Sequence, residues 1–208
     1  MKTYLTAINA AIQAGKEILN VYNSDDFQIE KKGDNSPLTL ADRNAHLKIM
    51  EYLETTHIPV LSEEGAEIPY EERSTWGKLW IVDPLDGTKE FIKGNGEYTV
   101  NIALIYHHSP IIGVVYAPEF NQLFTGGLHQ GAIMQTSKST CKLQIKMHRG
   151  NQNKWHIISG RSLPKPRLAR LSTKIPYSQA TDMGSSLKVC HIAAGFADLY
   201  PRFGPTSE

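Results

Sequence analysis

The stretch Trp80–Thr88, WIVDPLDGT, decides the fold, because an apolar strand in it runs directly into a turn that carries two aspartates. Pro84 restricts the backbone of this turn, and Gly87 permits conformations that are closed to other residues. Asp83 and Asp86 can therefore converge on one point, together with a main-chain carbonyl between them. Hard oxygen ligands of this kind suit Mg²⁺. An ordinary turn with solvated acids is the alternative.

A second acidic pair lies upstream of this turn. Glu63 and Glu64 follow the short apolar run Ile58–Leu61, which reads as a strand. Two consecutive strands that end in acids at one sheet edge would supply a two-metal phosphoryl site, where each cation bridges protein and phosphate oxygens. A solvated surface pair is the alternative for these two glutamates taken by themselves.

Two amphipathic helices are predicted before these strands. The first has apolar residues at three- and four-residue spacing and is expected to end near residues 23–26. Its apolar positions are Leu5, Ile8, Ile12, Gly15, Leu19 and Tyr22. The second has a shared face made of Ala41, Ala45, Ile49 and Leu53. Asp42 lies near the N-terminal end of this second helix.

After Tyr98 the sequence pattern becomes typical of β-strands. Short apolar or alternating runs, separated by turn residues, predict strands over 99–106, 111–116, 122–124, 132–135 and 142–146. The rest of the chain predicts strands over 155–159 and 197–200 and helices over 166–171 and 185–194. This order indicates layered sheets and helices. If there are two lobes, an N-terminal α+β lobe with the metal and phosphate motifs covers 1–150 and a C-terminal α/β lobe covers 151–208.

The composition is that of a globular protein. The 208 residues contain 22 Lys+Arg and 21 Asp+Glu, for a formal net charge of +1. Basic blocks are no longer than a pair, which argues against nucleic acid polymers as partners.

The apolar run Ile111–Ala117 is far short of the ~20 residues that span a bilayer. Because no secretory signal pattern opens the chain, Cys141 and Cys190 are expected to be reduced thiols in the cytoplasm.

Longer stretches around the acidic motifs carry a family resemblance. Residues 80–91, WIVDPLDGTKEF, resemble the signature of the inositol monophosphatase superfamily, and residues 62–65, SEEG, are similar to its upstream acidic motif. Segments that resemble one branch, the bacterial 3′(2′),5′-bisphosphate nucleotidases, are 32–42, 88–92, 96–104, 184–188 and 197–202. The resemblance covers essentially the whole chain. It implies an α+β fold, the layered αβαβα sandwich of this superfamily.

The resemblance also implies a set of metal ligands and catalytic groups. Glu63, Asp83, Asp86 and the main-chain carbonyl of Leu85 would hold Mg²⁺.

On the phosphate side, the resemblance implies that Gly87 and Thr88 bind the scissile phosphate through an anion cradle of backbone N–H groups. Asp42, hydrogen-bonded to Thr88, would orient or deprotonate the attacking water. Turn capping by Thr88 and a favourable helix-dipole position for Asp42 are alternatives that are compatible with catalysis.

On the nucleotide side, the resemblance places Ser185 and Lys188 at the nucleotide and Arg202 at its second phosphate. A phosphate that is bound without being cleaved needs cations or N–H donors to offset its charge. The alternatives are a helix-capping serine and two solvated cations.

The implied activity is hydrolysis of adenosine 3′,5′-bisphosphate to AMP and phosphate, a lithium-sensitive, Mg²⁺-dependent reaction that clears a by-product of sulfate assimilation. Because the metal motif is common to the superfamily, an inositol or sugar phosphate monoesterase is the alternative enzyme. A truncated, catalytically impaired nucleotide-binding protein is the alternative outside the enzymes. The resemblance leaves open the oligomeric state and a peripheral association with the cytoplasmic face of the inner membrane.

One motif of the superfamily does not occur in the chain. It is a Trp-Asp pair at a helix N-terminus, whose aspartate binds a second metal ion. Trp76, Trp80 and Trp155 are followed by Gly, Ile and His. We therefore expect the chain to be truncated before this motif and to lack the C-terminal elements of the sandwich, with a weakened second cation site.

Overall fold

The computed structural model describes the chain except residues 25, 32–36, 129, 146–153, 162, 164, 176 and 204–208. The helices are α1 Lys2–Ser24, α2 Leu40–Leu53, α3 Tyr70–Arg73, α4 Thr88–Lys93, α5 Lys165–Ser172 and α6 Leu187–Ala193. The strands are β1 Glu30–Lys31, β2 Pro37–Leu38, β3 Val60–Ser62, β4 Lys78–Asp86, β5 Thr99–Tyr106, β6 Ser109–Ala117, β7 Gln122–Gly127, β8 Gly131–Gln135, β9 Thr140–Lys142, β10 Trp155–Gly160 and β11 Tyr177–Met183. The predicted lobe boundary at 150/151 lies outside the described residues, so that division stays a prediction.

A seven-stranded sheet with the order β3-β4-β5-β6-β7-β8-β9 forms the centre of the fold. β3 is parallel to β4, and every later pair is antiparallel. The alternating runs in the sequence predict β5 to β8 correctly. The predicted strand 142–146 is wrong over 143–145, because β9 ends at Lys142 and residues 143–145 form no strand, while residue 146 lies outside the described residues.

The helix α1 packs on the core with a face that partly matches the predicted stripe, since Ile8, Ile12 and Tyr22 pack against the core but are only partly buried. Leu5, placed on the predicted apolar stripe, is 51% exposed. The fully buried side chains of α1 are Ala7, Ala10, Ala11, Ala14 and Ile18. Small residues dominate this face because α1 lies directly against α2, and two helix axes approach closely only where the side chains between them are small. The predicted face of α2 is confirmed, since all four of its residues are fully buried.

Alternate residues of the sheet face opposite layers. Val114, Tyr116 and Leu123 pack with α1 and α2 in one apolar core. Their chain neighbours Ala117 and Phe124 pack with α6 in a second core. Because side chains alternate along a strand, α6 lies on the sheet face away from α1 and α2. The two-stranded parallel sheet of β10 and β11 then lies beyond α6, which confirms a layered α/β sandwich.

The C-terminal elements differ from the prediction in three places. The predicted strand 197–200 makes only one bridge, between Leu199 and Ile157. The strand β11 was not predicted, because its polar sequence lacks an apolar alternation. The predicted helix 185–194 begins at Leu187, since Ser185 has a left-handed φ of 48° and cannot continue a helix. Among the described residues, no helix has the length and apolar character needed to cross a bilayer.

Candidate metal and phosphate site

The two acidic motifs meet where β3 and β4 end. The N–H of Glu63 donates to the carbonyl of Val82 at 3.0 Å, which continues the parallel pairing of the two strands by one residue. Glu63 and Asp83 consequently lie side by side and line one cavity of about 400 Å³, whose other lining is mostly apolar and includes Asn101 and Arg73. We call this the carboxylate cavity. Asp83 is further fixed by accepting a hydrogen bond from the Leu85 N–H at 3.1 Å.

An irregularity in β4 separates the two aspartates. Asp83 pairs with Asn101 and Asp86 pairs with Thr99, so three steps along β4 face two steps along β5. The extra residue makes a β-bulge, which changes the direction of side chains and is frequent beside active sites. The sequence predicts this motif in a turn after the strand, whereas in the structure it belongs to β4 through Asp86.

Asp86 is a partly buried carboxylate that is held from two sides. Its Oδ2 accepts the N–H of Ser186 at 2.5 Å. Burial raises the pKa of Asp86, the positive charge of Lys188 and the hydrogen bonds from Ser186 and Asn101 oppose this rise, and the negative charge of Glu63 adds to it. The repulsion between Asp86 and Glu63 is of the kind that a bound cation relieves.

The predicted metal ligands therefore share one sheet edge without forming a closed cluster. In the part of the chain that the structure describes, no three His, Cys, Asp or Glu side chains come together as a metal cluster. The donors present are all oxygen atoms, from three carboxylates and the carbonyl of Leu85. This donor chemistry fits a hard divalent cation.

The proposed catalytic pair is brought together by α2 and α4. Thr88 Oγ1 donates to Asp42 Oδ1 and to the Leu85 carbonyl, each at 3.3 Å, so one hydroxyl proton is shared between two acceptors. Asp42 is 1% exposed. Its other oxygen accepts the N–H and the hydroxyl of Thr39 at 2.7 and 2.6 Å, which makes it the third residue of a capping box on α2.

Gly87 makes the tight turn between β4 and α4. Its φ is 95°, and a Cβ on it would lie 3.0 Å from the carbonyl oxygen of Glu97 and 3.3 Å from Cβ of Ser185. The N–H groups of Glu90 and Phe91 return to the Gly87 carbonyl at 2.8 and 2.9 Å. The residue after β4 must therefore be a glycine for α4 to begin against the Ser185 turn.

The predicted nucleotide contacts lie together on the other side of α4. Ser185, Lys188 and Arg202 line a cavity of about 350 Å³, which we call the basic cavity. Lys188 Nζ donates to the Ser185 carbonyl at 2.5 Å and lies 5.6 Å from the ring centre of Tyr200.

The sequence reading missed several residues of the basic cavity. The missed residues Lys89 and Lys93 add positive charge to its lining, with Glu90 as an acidic member. Arg161, which the sequence places in a candidate anion-binding loop over 159–162, also lines this cavity. The signal for the lysines was their four-residue spacing on α4, which puts both on one face of the helix. Arg161 forms ion pairs with Glu90, at 3.8 Å, and with Glu97.

The chain was compared with known proteins. A model of the inositol monophosphatase family matches residues 1–208. The 3′(2′),5′-bisphosphate nucleotidase CysQ of Escherichia coli strain K12 is 44% identical over 200 residues, which are 95% of this chain and 79% of that protein. The CysQ of Salmonella typhimurium strain LT2 is 42% identical over 200 residues, with the same two shares.

A solved structure with the same layers is that of CysQ from Bacteroides thetaiotaomicron, described as a bacterial member of the inositol monophosphatase family. It is 40% identical to this chain, with a TM-score of 0.84 over 98% of this chain and 80% of that one. The match of the family model over the full length, the carboxylates at one sheet edge and this common fold agree. The chain belongs to the inositol monophosphatase family.

Proposed function

We propose that the chain is a phosphoric monoester hydrolase that removes the 3′-phosphate of adenosine 3′,5′-bisphosphate, with Mg²⁺ as its cofactor. The observation that carries the proposal is the presence of two cavities of different character. One holds Glu63 and Asp83 in a mostly apolar lining, and the other holds five cationic side chains with Glu90. A substrate with two phosphates matches this pair. The relatives named bisphosphate nucleotidases, at 42–44% identity, support the choice of substrate.

Glu63, Asp83, Asp86 and the carbonyl of Leu85 would hold the cation. When bound, Mg²⁺ would supply Lewis-acid polarisation of the phosphate oxygens and would lower the pKa of water near the phosphorus. These carboxylates would have to be ionised, because Mg²⁺ loses its bound water reluctantly and negatively charged oxygen ligands are needed to offset that cost.

Thr88 and Asp42 would orient the attacking water. With its proton directed to Asp42 Oδ1, Thr88 Oγ1 presents lone pairs that accept a hydrogen bond from water. Asp42 stays fixed because both Thr39 donors hold its other oxygen. In the reaction the water oxygen forms a bond to phosphorus, the bond from phosphorus to O3′ breaks, and the ribose oxygen takes up one proton in place of the one that the water loses.

The two phosphates would bind to different groups. The N–H groups of Gly87 and Thr88 would cradle the scissile phosphate, and Ser185 would contact the nucleotide. Lys188 and Arg202 in the basic cavity would offset the charge of the phosphate that is not cleaved.

The test is phosphate release by this chain from three compounds: adenosine 3′,5′-bisphosphate, AMP and inositol 1-phosphate, each with and without Mg²⁺. We expect Mg²⁺-dependent release from the bisphosphate alone. Faster release from inositol 1-phosphate would refute the nucleotidase and favour the sugar phosphate monoesterase. An inert chain that still binds the bisphosphate would refute the enzyme and favour a nucleotide-binding protein.

Two charge variants sharpen this test. Lys188→Met removes a cation from the basic cavity and should raise KM for the bisphosphate more than it lowers kcat. Lys48→Met removes a lysine that pairs with Glu51 on α2, away from both cavities, and should leave both constants unchanged. Equal effects of the two variants would remove Lys188 from the substrate site.

We further propose that the metal and phosphate motifs belong to a lobe over 1–150 and the nucleotide contacts to a lobe over 151–208. The cytoplasm is the proposed compartment, since Cys141 and Cys190 are both unbridged thiols.

A further inference from the structure

Ser186 forms hydrogen bonds with Asp86 and with Asn101, and Asn101 holds Asp86 from the other side. Its N–H donates to Asp86 Oδ2 at 2.5 Å. The side chain of Asn101 makes a second hydrogen bond to Asp86. The hydroxyl of Ser186 lies 2.8 Å from Asn101 Oδ1. Ser186, Asn101 and Asp86 thus form a closed ring of hydrogen bonds across the boundary between β4, β5 and the turn before α6.

The donors and acceptors of this ring can be assigned from chemistry alone. A carboxylate only accepts, so the Asn101 amide nitrogen faces Asp86 and its Oδ1 must accept from Ser186. The Ser186 proton is then used, so Thr99, whose Oγ1 lies 2.8 Å from Ser186 Oγ, must donate to Ser186. Thr99 is fully buried. Hydrogen bonds therefore run in one direction, from Thr99 through Ser186 and Asn101 to Asp86.

The backbone of the turn is constrained so that Ser186 can make these contacts. On one side of Ser185, the N–H of Gly184 donates to Glu97 Oε2 at 2.6 Å. On the other side, the N–H of Ser186 donates to Asp86. Ser185 between them has a φ of 48°, in a region that residues other than glycine seldom occupy. Strain of this sort persists where neighbouring contacts enforce it, and it concentrates at functional sites.

We propose that Ser186 is a positioning residue that fixes the orientation of Asp86 for the divalent cation, and that its hydroxyl does so through Asn101. The inference rests on the proposed function in one respect, that Asp86 is a metal ligand.

Without the hydroxyl of Ser186, Asn101 Oδ1 loses this donor, and the amide that bonds to Asp86 is held less firmly. Ser186→Ala should therefore weaken Mg²⁺ binding by about 10-fold or more, the usual range for a group that orients a metal ligand. Thr99→Val keeps the shape of a buried side chain and removes the donor to Ser186, so it should weaken binding by a smaller factor. Ser186→Thr retains the hydroxyl and should restore binding.

The experiment is calorimetric titration of Mg²⁺ into the substrate-free protein, together with thermal unfolding without metal. The matched control is Ser159→Ala, since Ser159 is a buried serine (1% exposed) that donates to Asp182 at 2.5 Å on the β10-β11 sheet. Both alanine variants should lower the unfolding midpoint, and only Ser186→Ala should weaken Mg²⁺ binding. If Ser186→Ala does not fold, Thr99→Val decides the question.

Each outcome separates the inference from the proposed function. Equal Mg²⁺ affinities of the wild type, Ser186→Ala and Thr99→Val would overturn the positioning role while leaving the nucleotidase intact. A wild-type chain that binds Mg²⁺ but hydrolyses no bisphosphate would overturn the nucleotidase, and the loss of affinity in Ser186→Ala would still support the positioning role. A wild-type chain that binds no divalent cation would overturn both.

Discussion

Replacing Asp42 by asparagine should cost stability and almost all activity, for two separable reasons. An asparagine fits best with its Oδ1 toward Thr39, because Thr39 presents two donors at 2.7 and 2.6 Å. Both bonds then survive as neutral hydrogen bonds in place of charged ones, a loss of about 1 kcal/mol each. The amide nitrogen is left facing Thr88, where it can only donate.

The total expected loss is about 2 kcal/mol, which lowers the unfolding midpoint of a chain of this size by about 4 to 8 °C. The effect on the rate is larger, since Thr88 would now accept from residue 42 and its proton would turn to the Leu85 carbonyl or to the water. We expect phosphate release to fall by about 10² to 10⁴, the usual contribution of a positioned general base.

Thr39→Ala is the control for this prediction. It removes one of the two donors at a cost of about 1 kcal/mol, as for other N-cap residues, and leaves the contact between Asp42 and Thr88 in place. Urea unfolding and phosphate release of both variants check the reasoning. It would be refuted if Thr39→Ala reduced the rate as much as Asp42→Asn, or if Asp42→Asn unfolded within about 0.5 kcal/mol of the wild type, the scatter of neutral surface substitutions.

Three further changes have definite expected outcomes. Gly87→Ala should lower both the thermal midpoint and the rate of phosphate release, because φ is 95° and the new Cβ would lie 3.0 Å from a backbone oxygen; an unchanged midpoint would contradict this. Gly15→Ala places a Cβ 2.5 Å from the ring of Tyr116, so urea unfolding should show a loss of about 1–3 kcal/mol, as for other overpacked cores. With a thiol reagent at pH 8, Cys141, which is exposed, should react in the folded protein. Cys190 should react only after unfolding, since burial raises its pKa to about 12; two equally fast thiols by mass spectrometry would disprove the burial.

The fold could be predicted where large apolar residues mark the buried face. The alternation from Thr99 to Tyr106 identified β5 to the residue. The face of α1 was only partly predicted, because the prediction followed the spacing of isoleucine and leucine, whereas the contact with α2 also selects alanines. The strand β11 was missed because its sequence has little apolar alternation, and it forms a strand through its pairing with β10.

The site could be predicted as far as its motifs are local in sequence. The proximity of Asp42 to Thr88, and of Ser185, Lys188 and Arg202 to one cavity, was expected from the family resemblance and is seen in the structure, while the roles of these residues stay predictions. A polar residue such as Asn101, inside an otherwise ordinary strand, carries no local sign that it bonds to Asp86. Neither does the bulge in β4, since one extra residue becomes visible only against the register of the neighbouring strand.

The contact between Asp86 and Ser186 joins positions 100 residues apart in the chain. Closing so long a loop is entropically costly and is repaid only when the elements around both ends have packed. Asp86, Asn101 and Thr99 can assemble within the early β-sheet, but their last donor arrives only with the turn before α6. In a chain whose sheet has folded but whose α6 has not yet packed, Asp86 therefore lacks the hydrogen bonds from Ser186 that orient it. The ability to bind the cation should consequently appear late in folding rather than early.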